Sequence, residues 1–301
     1  MGFFGRLFGG KKVRPDEQAA GNMSAGESWR SASSMDECDI EPRDAAEHAD
    51  EMSELMRQAE TCIANGDYEG AVKAYRQVLK LGPDKKAQYN LGSLCAQGKG
   101  TSQDFMEGGY WFHQAELAGS LQAGKLCLKC AMDYIHGKME ARSAQELYED
   151  MARFVRHVLP ERPNVNEEVC RRLYAFAGNH INKNEYEPAA KLLRASAEFG
   201  GDWYSQSDLA ALYNTGSGVK QNDLAALYWL DKAIDNGAGE DARTDRNELL
   251  GAYKAQLSKT EFRGAMMKLA EWCTFGSEMV PRDTKKAVYW RNVGKSGTWE
   301  R

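Results

Sequence analysis

Residues 89–119 read YNLGSLCAQGKGTSQDFMEGGYWFHQAELAG, and residues 207–237 read SDLAALYNTGSGVKQNDLAALYWLDKAIDNG. Set side by side, Leu91 meets Leu209, Leu94 meets Leu212, and Gly98 and Gly100 meet Gly216 and Gly218. Gln103 meets Gln221, Trp111 meets Trp229, Ala115 meets Ala233 and Gly119 meets Gly237, every pair 118 residues apart. A third copy follows, with Leu269, Trp272, Gly276, Ala287 and Tyr289-Trp290 in the same parts. Its loop departs from the other two: Ser277-Glu278-Met279-Val280-Pro281 replaces the second glycine and is one residue longer. Self-similarity at a fixed period is the mark of a stacked-repeat architecture.

The offset of 118 recurs upstream, taking Leu55 to Leu173, Ala59 to Ala177, Tyr68 to Tyr186 and Ala71 to Ala189. Divided by three it gives units of about 39 residues, within the range of helical repeats. Repeats are expected at about 52–83, 86–120, 121–160, 168–200, 202–237 and 262–299, with a short acidic turn and a connecting helix in 238–260. The chain has only 7 Pro, which suits helices. One helical hairpin cannot bury its own apolar stripe. Small residues (Gly92, Ala210, Ala270) let paired helices approach, and large ones (Trp111, Trp229, Trp290) fill the space between hairpins. The expected fold is all-α, an α-solenoid over residues 51–301 with an extended concave face.

These residues also carry a resemblance. A-x-Y-N-L-G-x-L-x-x-x-G-x-G, followed by Q-D, an aromatic pair and A-x-x-x-G, resembles the Sel1-like repeat. ANGDYEGAVKAYRQVLKLGP, residues 64–83, resembles the second half of a tetratricopeptide repeat, with Leu55, Ala59, Ala71, Tyr75 and Pro83 at marker spacings. Both families fold as stacked helix–turn–helix hairpins, and the likeness spans about 250 of the 301 residues.

Ahead of the repeats, residues 1–14 form a basic and aromatic head, MGFFGRLFGGKKVR. Residues 15–50 are rich in Ser, Gly and acids, and residues 36–54 hold nine acids against one base, Arg43. That composition reads as a flexible, disordered leader. Phe3, Phe4, Leu7 and Phe8 share one face of a helical turn, with Lys11 and Lys12 just after. The head reads equally as an interfacial anchor for anionic membrane or as a plain tail. Arg6 breaks the myristoylation pattern and interrupts the only apolar stretch, so neither lipidation nor a signal peptide is expected. The chain contains no run of about 18 apolar residues. Seven scattered cysteines fit a reducing cytosol. The expected location is therefore cytoplasmic, with peripheral contact at the cytoplasmic membrane face if the head is an anchor.

A net charge of -5 argues against nucleic acid as partner, because phosphate contacts need a basic face. GRLFGGKK (residues 5–12) satisfies the phosphate-loop spacing but lacks a preceding strand and a Ser or Thr after the lysine. Cys127 and Cys130, with His136 nearby, outline half a zinc site, and no second C-x-x-C exists. Aligned on the hairpin, the two cysteines fall on the core positions Leu91 and Leu94, where a free thiol acts as a small apolar group. The five histidines show no pairing with a nucleophile. No cofactor, metal or catalytic residue is expected.

The chain therefore reads as a protein-interaction adaptor or scaffold. By resemblance to the tetratricopeptide groove, its contacts to a partner protein or peptide are Met56 and Glu60; Tyr89, Ser93 and Gln97; Ser207, Ala211 and Thr215; Met267 and Glu271. Met56 and Glu60 stand where the chaperone-binding subclass carries Lys and Asn, which argues against capture of a C-terminal carboxylate. The rival readings are a membrane-tethered scaffold held by residues 1–14 and an enzyme or metal protein with its site in 121–200.

Overall fold

The structure is a computed structural model; it describes residues 42–298, with side chains from residue 48 onward. The head, including Phe3, Phe4, Leu7, Phe8, Lys11 and Lys12, and the leader up to residue 41 lie outside the described residues. Thirteen helices and no strand make up the described chain. It divides into two compact units, residues 42–130 and residues 131–298.

The first unit holds α1 (Pro42–Ala64), α2 (Tyr68–Leu81), α3 (Lys85–Gln97), α4 (Phe105–Leu117) and the start of α5 (Leu121–His136). α1 begins at Pro42, so residues 42–50, which composition assigned to the flexible linker, are helical. Proline is preorganised for the first helical position, and Asp44 and Glu47 suit the positive end of the helix dipole. Ala45, Ala46 and Ala49 then add the best intrinsic propensity. Three aspartates start the next helices. Asp67 accepts from the Gly70 N–H at 2.9 Å, Asp84 from Ala87 at 2.7 Å, and Asp104 from Met106 at 2.8 Å and Glu107 at 3.0 Å. Each satisfies donors that the first turn leaves open.

Ala59, Ala71, Tyr75, Val78, Ala87, Leu91 and Cys95 form one buried cluster that joins the α1–α2 hairpin to α3. The α3–α4 hairpin closes tightly: a Cβ on Gly92 would stand 3.1 Å from both the Gly108 carbonyl oxygen and the Phe112 ring. Its loop packs as closely on the preceding hairpin. A Cβ on Gly100, at φ +71°, would lie 2.2 Å from the carbonyl carbon and oxygen of Tyr68, the first residue of α2.

The second unit holds the end of α5, then α6 (Ala144–Val158), α7 (Val165–Asn182), α8 (Tyr186–Ala195), a π-helical turn (Ser196–Gly200), α9 (Trp203–Thr215) and α10 (Asp223–Asp235). α11 (Glu240–Ala255), α12 (Lys259–Phe275) and α13 (Thr284–Ser296) complete it. Ser143/Glu146 and Ser258/Glu261 are reciprocal capping boxes. The close approach seen at Gly100 recurs 118 residues on: a Cβ on Gly218 would lie 2.2 Å from the Tyr186 carbonyl carbon. The departing loop of the third copy has its own anchors. Trp229 Nε1–H donates to the Met279 carbonyl at 3.0 Å, and Arg194 donates to the Glu278 carbonyl.

Trp229 and Trp290 are fully buried, as the repeat spacing predicts, whereas Trp111 is only half-buried. Trp111 packs on the edge of the first unit's cluster and turns its indole N–H toward Glu107, 3.4 Å away.

Candidate functional site

In the first unit the sequence-derived residues lie on α1 and α3. Met56 is half-buried on the core cluster and Glu60 is exposed, ion-paired with Lys86 at the start of α3. Together they line an open cleft of about 450 Å³ that also involves Ala49, Met52, Ser53, Arg57 and Asp84. Met52 and Met56, one turn apart on α1, supply its apolar surface. Arg57 donates to Glu54 at 2.8 and 2.7 Å, and hydrogen bonds from Arg57 and Gln58 bring that carboxyl down to about 2. Glu54 is therefore a permanent anion beside the cleft. Tyr89, Ser93 and Gln97 lie further along α3. Tyr89 sits edge-on to Phe112 with ring centroids 5.6 Å apart, and Gln97 Nε2 donates to Ser93 Oγ at 2.7 Å.

In the second unit the alignment fails at two positions. Ser207 is 0% and Ala211 1% exposed, so neither lines an accessible surface. α9 packs against α8, the π-helical turn and α10, and this stripe of α9 is interior. Thr215 at the end of α9 is exposed and donates back to the Ala211 carbonyl at 2.9 Å. Met267 (38% exposed) and Glu271 are exposed on α12. Sequence reasoning missed Met52, Arg57, Asp84 and Lys86. Met52 was legible in principle, one turn before Met56, but the Lys86–Glu60 pair joins residues 26 apart and left no trace in the repeat pattern.

The strongest concentration of buried charge is elsewhere. Asp231 of α10 is fully buried and meets Arg246 of α11 at 3.1 Å and Lys286 of α13. Lys286 also reaches the Asp231 carbonyl at 3.1 Å and Asp235 at 2.7 Å. Close by, Lys232 pairs with Asp283, the N-cap of α13, at 2.8 Å. One carboxylate compensated by two cations from two other helices is a structural tie, because a charge so deeply buried needs partners of opposite sign.

No group of three or more His, Cys, Asp or Glu among the described residues is placed to hold a metal ion. Cys127 and Cys130 are buried, 2% and 3% exposed. The six described cysteines are all free thiols. Burial pushes Cys95 and Cys273 up to about 12, far from the thiolate form a nucleophile needs. His113 is buried and contacts Glu116 at 3.2 Å. His180 pairs with Glu185 at 2.7 Å and stacks on His136. No helix of the described residues is long and apolar enough to cross a membrane.

Paired helices joined by glycine loops at a constant offset define a helical-repeat protein. The chain carries Sel1 repeats: the Sel1 repeat family model matches residues 85–120, 203–237 and 264–290, which fall on α3–α4, α9–α10 and α12–α13. Sel1 repeats serve in general as protein-interaction modules. No curated protein matches the chain. Among solved structures it is similar to a Sel1 repeat protein from Oxalobacter formigenes, at 20% identity over 86% of this chain and 91% of that one, with a TM-score of 0.26. It is also similar to c5321, a protective antigen of uropathogenic Escherichia coli strains that displays an SLR fold. That match has 21% identity over 85% of this chain and 56% of that one, with a TM-score of 0.25.

Proposed function

We propose that this chain is a non-enzymatic adaptor that holds a segment of a partner protein in the cleft formed by α1 and the start of α3. The observation that carries the reading is the cleft itself: about 450 Å³ of open space with Met52 and Met56 exposed to it and Arg57, Glu60, Asp84 and Lys86 around it. Thioether side chains are flexible and polarisable, so they mould to an apolar side chain of the partner. The flanking charges, of both signs, fix the direction in which the segment lies. Tyr89, Ser93 and Gln97 continue the accessible surface along α3; Thr215, Met267 and Glu271 are the corresponding contacts of the second unit. Residues 1–41 serve as a leader to the array.

The test begins with affinity capture on the full chain and identification of the captured protein by mass spectrometry. Binding of that protein is then measured to the wild type and to Arg57→Glu and Lys86→Glu variants, both at exposed positions that line the cleft. Each should lose about tenfold or more in affinity, the scale of a central contact, with unchanged helicity and melting temperature. Folded variants that bind like the wild type would remove the cleft from the interface, and turnover of a substrate by the pure chain would remove the adaptor reading.

A further inference from the structure

A different surface, on α13, goes beyond that reading. The third copy aligns with the second at an offset of 61 after the loop, since Trp290 answers to Trp229. Leu224, Leu227, Leu230 and Ile234 of α10 therefore correspond to Lys285, Val288, Arg291 and Lys295 of α13. In α10 the three leucines are buried, and Ile234 packs on a small cluster with Ala233, Ala238 and Ala242. In α13 all four positions are exposed, Val288 to 55%. An apolar stripe that receives the next element has become a basic stripe with one apolar residue left in it.

A mixed-charge stripe would suffice to keep such a face soluble. This one is single-signed: the thirteen residues of α13 contain no acid. Lys285, Arg291 and Lys295 make no ion pair among the described residues. Lys285 also lies in the first helical turn, where the dipole disfavours a cation. The complementary surface exists in the same sequence. Residues 36–54 carry nine acids against one base, and among the described side chains Asp50, Glu51 and Glu54 of α1 are all exposed. Met52 lies beside Gly82, where α2 ends, so the helix before Met52 runs on past its partner, and residues 48–51 are exposed.

We propose that the basic stripe of α13 docks the acidic start of α1 from a second copy of this chain, in a head-to-tail contact. Such a contact joins two different patches, so it propagates into a ring or an open chain rather than stopping at a symmetric dimer.

Sedimentation velocity on the full chain tests this. The wild type should associate as concentration rises at low salt, and the association should weaken at least tenfold at about 0.5 M salt, where the Debye length falls to a few ångströms. Lys285→Glu/Arg291→Glu/Lys295→Glu and Asp50→Lys/Glu51→Lys/Glu54→Lys should each be monomeric with wild-type circular dichroism, while their equimolar mixture associates again. Val288→Ser, which leaves every charge in place and changes one exposed residue, should weaken the wild-type association several-fold. A wild type that stays monomeric at low salt overturns the proposal, and an acidic partner protein captured on α13 in that case becomes the occupant instead. Association that survives either triple change, or a mixture that stays monomeric, overturns it equally.

Discussion

Gly100→Ala tests the stacking of hairpins at one atom. The new Cβ would sit 2.2 Å from the carbonyl carbon and oxygen of Tyr68 and 2.6 Å from the Glu69 nitrogen, all backbone atoms at the start of α2. No rotamer change can relieve that overlap; the loop or the helix has to move. Gly119→Ala is the control. It has a left-handed φ of +90° as well, but nothing lies within 4 Å of its added Cβ. Forcing an L-residue into the left-handed region costs about 1–2 kcal/mol, and this applies to both variants. Stiffening of the unfolded chain returns about 0.4–1 kcal/mol, again in both. The difference between them isolates the overlap, which at about 1–3 kcal/mol for an overpacked site should make Gly100→Ala clearly the worse variant. Urea unfolding followed by circular dichroism gives the two midpoints, and amide hydrogen exchange should place the loss within residues 42–130. Equal midpoints for Gly100→Ala and Gly119→Ala would refute the close packing of the loop on α2.

Three further outcomes follow from the second unit and from α5. Asp231→Ala leaves Arg246 and Lys286 buried without their shared carboxylate and should cost about 3–5 kcal/mol in urea unfolding; a cost below about 1 kcal/mol would mean that water reaches the cluster. Cys127→Ala with Cys130→Ala should cost about 1–3 kcal/mol of packing without releasing metal, and stoichiometric zinc in the native protein by atomic absorption would contradict it. Glu168 and Asp283 are both held low: burial pushes each carboxyl up, but bonds and charges from Arg171 and Arg172, and from Lys232 and Lys286, outweigh it. A folded value below the unfolded one stabilises the fold above about pH 4 and loses that contribution as pH falls through the folded value. The melting temperature should therefore drop below about pH 4, and Glu168→Gln should be destabilising at pH 7 with a flatter acid limb.

The hairpins were legible because the constraint behind them is local and repeated. Gly100 and Gly218 share an offset of 118 with Tyr68 and Tyr186 because each glycine touches its tyrosine, so the pair has to persist together whenever the unit is copied. The third loop shows the same demand met differently. Without the second glycine, the longer loop turns carbonyls of Glu278 and Met279 toward Arg194 and Trp229, and side-chain donors take over what close backbone contact does elsewhere. Helix starts were legible too, since Asp67, Asp84 and Asp104 sit where an N-cap is needed. The start of α1 was not, because a count of charges does not register that Pro42, the acids and the alanines are in helical order.

Accessible positions were harder to read, and Ser207 shows why. Repeat alignment places Tyr89, Ser207 and Met267 at one position of the first helix, yet Tyr89 is half-buried, Ser207 is fully buried and Met267 is 38% exposed. Position in the repeat fixes which way a side chain points from its own hairpin. Exposure depends on what the neighbouring elements put there, and those differ: α9 has the π-helical turn and α8 beside it, while α12 has no such insertion. The buried Asp231 cluster follows the same rule, since its partners Arg246 and Lys286 come from a helix and a hairpin lying 15 and 55 residues further along the chain. Periodicity therefore predicts the contacts a unit makes with an identical neighbour. It is silent where the neighbour is the connecting helix α11 or a diverged copy, and those are the places where charge has entered the core.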